Sequence, residues 1–187
     1  MQTAERHSSM KILNILKIAL FLVIVVLAYF LVETIAEPIR FEKEKAVRYA
    51  QVIERLKMIR TAEIAHRDVN GTFTGDWNEL VDFVKNGQLQ VVKVIGNPDD
   101  SLDVIAGITY DTLMVSVADS FFRNYPIDSL SYIPFTAGKQ FSLQAGQITK
   151  GNIKVNVFQA EDTSPFDPRK VLRVGSMSDA NLSGNWE

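Results

Sequence analysis

Hydrophobic and polar positions repeat on three different scales along this chain, and each change of scale marks a new element. From Ile18 to Val32 the run IALFLVIVVLAYFLV is apolar throughout, and extended back to Ile12 it covers 21 positions interrupted only by Asn14 and Lys17. At a rise of ~1.5 Å per residue this gives about 31 Å of helix, the thickness of a bilayer's hydrocarbon core. A transmembrane anchor is therefore expected over 12–36, carried by Ile18, Leu20, Phe21, Val25, Leu27 and Phe30, behind a short cytoplasmic tail at 1–11. Cleaved signal peptides hold only ~7–15 apolar residues, so the length favours an uncleaved signal anchor.

Beyond the run the period shortens to three or four. Pro38 lacks an N–H and restricts the residue before it, so it either starts a new helix or kinks a continuous one. Tyr49, Val52, Ile53, Leu56, Ile59, Ala62, Ala65 and Val69 then form an amphipathic stripe, with Arg48, Arg55, Lys57, Arg60 and Arg67 opposite. This predicts a stalk helix over 37–70, stopped at Asn70-Gly71, where glycine takes the left-handed cap geometry without penalty. A second helix begins at Asp76, an N-cap with Glu79 three residues on, and uses Trp77, Leu80, Val81 and Val84 before Asn86-Gly87 ends it.

The period then drops to two. Gln90–Ile95, Leu113–Val117, Gln140–Ala145, Ile153–Phe158 and Val171–Val174 read as strands. The clearest pairing joins Phe141, Leu143 and Ala145 to Ile153, Val155 and Val157 across a turn near Lys150-Gly151-Asn152, each run alternating as a sheet with one wet face requires. NPDDSLD (Asn97–Asp103) and EDTSPFDP (Glu161–Pro168) are turn chemistry. The tail from Gly175 to Glu187 is polar and irregular apart from Trp186. With no internal repeat, 71–187 is one head domain. The fold class is α+β: one transmembrane helix continuing as an amphipathic stalk packed on a mainly antiparallel sheet.

Charge refines this division. Ile39–Asp68 carries eight Lys/Arg against five Asp/Glu, and Val69–Glu187 nine against fourteen, so a basic stalk bears an acidic head. A head without a Lys/Arg cluster argues against nucleic acid as a partner. Lys/Arg counts tie on the two sides of the span, and the short amino-terminal tail places the head outside the cytoplasm. The absence of cysteine removes disulfides, thiolate metal sites and thiol catalysis. His7 and His66 lack the spacing of metal ligands, and His66 reads as a residue favoured by the helix C-terminal dipole. Asp99, Asp100 and Asp103 lack the regular spacing of a calcium loop. Serines stand without a nucleophile elbow, and glycines stand alone rather than in a phosphate loop. No catalytic residue, cofactor or metal is expected. Phe73 and Trp77 read as core anchors. Trp186 either packs back on the head or anchors a protein partner, since tryptophan is a favoured hot spot.

The layout resembles type IV pilins and the pseudopilins of type II secretion. The local match is RLKMIRTAEIAHRDVNGTFTGDWNEL, Arg55–Leu80, with Ile59-Arg60, Ala62-Glu63, Ala65, Asn70-Gly71, Phe73-Thr74 and Leu80 in the places such chains use at the end of their long helix. The family's processing glycine and the following glutamate are missing: there is no Gly before Gly71 and no acid between Glu5 and Glu33. The resemblance implies a pilin-like fold kept as a permanent anchor in a bacterial inner membrane, its head in the periplasm. The expected function is a non-enzymatic envelope component presenting a head for self-assembly or partner binding. The alternative is a membrane-anchored sensing or ligand-binding module.

Overall fold

The computed structural model describes residues 2–95 and 109–187, with side chains over 16–92 and 111–187. The NPDDSLD turn, with Asp99, Asp100 and Asp103, lies outside the described residues. Helix α1 runs Gln2–Asn70 and includes Pro38, which continues the helix rather than starting one. Proline there deprives the Thr34 carbonyl of its usual amide donor. Contacts divide the chain into two compact units, Met1–Val47 and Arg48–Glu187.

In the first unit the described side chains are those of a single helix, and its apolar residues from Leu16 to Ile35 are exposed. In the second unit, the length of α1 from Arg48 onward joins α2 (Trp77–Asn86) and two small antiparallel sheets. The exit from α1 follows from Gly71, whose φ of 82° lets its N–H donate back to the Arg67 carbonyl at 2.7 Å. Asp76 caps α2 by accepting from the Asn78 amide at 2.8 Å. Leu80 and Val84 bury the apolar face of α2. Trp77 Nε1 donates to the Phe141 carbonyl at 3.0 Å, tying α2 to the start of a strand.

The expected single sheet is two. Strands β1 (Gln88–Ile95) and β2 (Thr109–Ser116) form a separate two-stranded ribbon. Ser116 then caps a one-turn helix, α3 (Val117–Phe121), so Val117 leaves the strand assigned to it. Strands β3 (Ser142–Lys150), β4 (Ile153–Glu161) and β5 (Arg173–Gly175) form the second sheet, in that order.

The β3–β4 hairpin exists, but its register is not the expected one. Gly151 and Asn152 alone make the loop, with Lys150 opposite Ile153 and Gly151 at φ 65°, the first-position glycine of a type II′ turn. A two-residue loop pairs odd positions with even ones. Leu143 therefore faces Ala160, and Ala145 faces Phe158. Ile153, Val155 and Val157 lie on the opposite face, and Ile153 is exposed. A three-residue turn would have given the odd-with-odd pairing, and one residue of slip exchanges the faces.

The core cluster takes Tyr49, Leu56 and Ile59 from α1, Leu80 from α2, Phe141 from just before β3, and Phe158 from β4. Phe73 joins it with its ring centroid 4.9 Å from that of Phe158. Gly175 cannot be replaced cheaply. At φ 74° its Cβ would stand 2.2 Å from the Phe158 carbonyl oxygen, and only glycine lets β5 approach β4 so closely.

Candidate functional site

In the apolar length of α1, Leu and Phe side chains that in a soluble helix would face a core face outward instead. Ile18, Leu20, Phe21, Val25, Leu27 and Phe30 are 49–65% exposed, and the 18-residue window has a mean hydropathy of 2.7 with none of it buried. Leaving one such side chain in water forgoes roughly 1.5–3 kcal/mol of burial. A row of them needs an apolar environment. The helix is long and apolar enough to cross a membrane.

In the second unit, cations of α1 hold the surrounding loops through aromatic rings and carbonyls. The Arg48 guanidinium lies 4.5 Å from the Phe166 ring centroid and 5.5 Å from that of Phe135. Arg55 stacks on Tyr125 at 5.2 Å and donates to the carbonyls of Ser129 and Tyr132. Arg67 covers Phe73 at 5.3 Å. Phe135 has φ 61°, the only positive φ among the described non-glycine residues, and its ring is 53% exposed. A left-handed conformation in an L-residue with a bulky side chain costs about 1–2 kcal/mol.

A polar cluster closes the far end of α1. Glu63 is fully buried, and its Oε2 accepts from the Thr74 amide at 3.1 Å. Its Oε1 has no hydrogen-bond partner among the described residues. Burial pushes this carboxyl up to about 8, against the pull of the Thr74 amide and with a further rise from Glu79. The Thr74 hydroxyl donates to Glu79 and accepts from the Asp76 amide, so Glu79 reaches Thr74 instead of closing a capping box on Asp76. His66, expected at the helix end, is buried there. Its Nδ1 lies 2.8 Å from the Thr72 carbonyl, which assigns the proton to Nδ1 and brings a side chain to the exit loop. Its Nε2 is 3.6 Å from Glu79 Oε1. Thr74 thus gives its proton to a carboxylate and not to the imidazole, so hydroxyl and base are not in line for nucleophilic chemistry. The cluster braces α1, the exit loop and α2. Among the described residues no group of three acids or histidines is placed to hold a metal.

Trp186 is half-buried against the core, with its Nε1 buried and unpartnered. The tail around it is bound in: Asn185 donates to the Arg173 carbonyl at 3.0 Å and the Val171 carbonyl at 2.7 Å, and Glu187 pairs with Arg60 at 2.8 Å. Part of the Trp186 ring thus packs on the head.

Phe135 escaped the sequence reading, and Glu63 entered it only as part of the pilin-like passage, without its burial. Glu63 left a signal, because Leu56, Ile59, Glu63 and His66 continue one three-four spacing and put an acid on the buried stripe. Phe135 left none, since nothing local marks its backbone. On the ribbon, Val91 and Leu113 pair directly and are 47% and 46% exposed, beside a groove of about 560 Å³ lined by Asp68, Val69, Leu89 and Met114. Compared with models of protein families, with curated proteins and with solved structures, the chain matches none.

Proposed function

We propose that this chain is a non-enzymatic, pilin-like envelope component, anchored by a single span and presenting its second unit for assembly with itself or with a protein partner. One observation carries the reading. A helix whose apolar side chains are exposed from Leu16 to Ile35 continues, as one element, into the core of a packed α+β unit. Such a chain puts a folded head at a membrane and leaves chemistry to others. The polar cluster around Glu63 supports this, since its hydrogen bonds, apart from the unpartnered Glu63 Oε1, run to one another and to the peptide backbone instead of converging on a cleft. In this reading the span is crossed once, and the head lies outside the cytoplasm.

Crosslinking in intact membranes, followed by mass identification of the adducts, tests the proposal. A ladder of the chain with itself, or one recurring protein adduct, is the expected result. Recovery of the chain in the soluble fraction without detergent would exclude the anchor. Adducts only with lipid would exclude the assembly role.

A further inference from the structure

We propose that the second unit carries a membrane-surface contact for anionic phospholipid, formed by Arg48, Phe135, Phe166, Lys139, Arg169 and Lys170; this rests on the anchor reading above. The Tyr49 hydroxyl donates to the Lys170 carbonyl at 2.7 Å, which holds the 166–170 loop at the point where α1 enters the unit. Arg48, one residue earlier, stacks on Phe166 and Phe135 and draws the 133–140 loop to the same place. Lys139 reaches Ser164 across these loops at 3.1 Å.

The charge here runs against that of its surroundings. Val69–Glu187 holds nine cations against fourteen acids, yet three of the nine, Lys139, Arg169 and Lys170, are exposed in these two loops. The acids of the same loops, Asp162 and Asp167, are buried, accepting from the Ser164 and Arg169 amides, and Asp167 also pairs with the Arg169 Nε at 3.2 Å, which leaves Lys139 and Lys170 as the stronger contributors. What faces water is therefore cationic, around an aromatic ring held outward by a strained backbone. Basic side chains flanking an exposed aromatic match the anionic headgroup layer and the interface beneath it. A strong site is unnecessary. Arg48 follows Ala36 by only twelve residues in the chain, and such a short tether multiplies a weak affinity.

The test uses the full chain with two kinds of vesicle, phosphatidylcholine alone and phosphatidylcholine mixed with phosphatidylglycerol. Flotation and amide hydrogen exchange are measured together. The expected result is flotation with both, and exchange across 133–140 and 163–170 slowed roughly fivefold or more on the anionic vesicles only. The Lys139→Glu/Lys170→Glu variant should abolish that slowing, and salt should weaken it in the parent chain. Flotation with both but equal exchange would overturn the contact and leave the anchor standing, as would slowing that survives in the double variant. Flotation with anionic vesicles alone would sustain the contact and remove the anchor. Flotation with neither overturns both.

Discussion

Glu63 is the residue whose behaviour is most sharply set by its surroundings. Its carboxyl sits at about 8 in the folded chain against an ordinary value of 4.5, because burial penalises the charged form. A raised folded value means that the native state holds the proton more tightly than the unfolded chain does. The stabilisation is complete below about 4.5 and is lost as pH climbs through about 8. Chemical denaturation at pH 5 and pH 8.5 should differ by on the order of a few kcal/mol, the acid side being more stable, and Glu63→Gln should flatten most of that difference. An unchanged slope in the variant would move the titration to another group. Phe135 offers a second test. Asparagine tolerates the left-handed region that phenylalanine resists, so Phe135→Asn should leave stability unchanged or raise it by about 0.5–1 kcal/mol, set against a cation–π contact of similar size. A melting curve checks it.

Elements differ in how much of them could be read in the sequence. Both long helices were legible because their signals are local: a glycine past the end of α1, Asp76 before α2, and apolar residues at three-four spacing. The hairpin at Gly151 was legible as a turn, but its register was not, since parity depends on whether two or three residues make the loop. The division into two sheets was hidden for a different reason. Which strand edges meet is decided by packing between distant segments, and alternation alone says nothing about it. The polar cluster was half-visible, an acid and a histidine on the buried stripe with no indication that Thr74 and Glu79 would meet them. Packing forecasts follow from the same elements. Leu56 is wholly buried in the core cluster, and Leu56→Ala should cost ~2–5 kcal/mol in urea denaturation. Trp186 is half-buried, so Trp186→Ala should cost less than the ~3–5 kcal/mol of a fully enclosed aromatic. Trp186→Phe should cost little, because it also removes a buried donor without a partner.

At the scale of the whole molecule, the chain joins an outward-facing apolar helix to a packed unit with its own core. Val25 lies in the middle of that apolar length, and Val25→Arg should weaken membrane insertion by roughly 2.5–3.5 kcal/mol, read as the integrated fraction in a translocation assay. The same substitution should leave the melting of the second unit unmoved, since Val25 belongs to the first. The ties between the two ends of that second unit have a kinetic consequence. Tyr49 is bonded to Lys170 across 121 positions and Arg60 to Glu187 across 127. The apolar stripe of α1 is thus synthesised early and covered late. At ~5–20 residues per second, the ribosome takes roughly 6–25 s between making Tyr49 and making its partner. Throughout that interval Leu56, Ile59 and their neighbours have only early partners such as Phe73 and Leu80, and the core is completed only once the later strands have been made. Loops of this length close slowly, so a stripe left uncovered for that interval is a surface on which growing chains can aggregate.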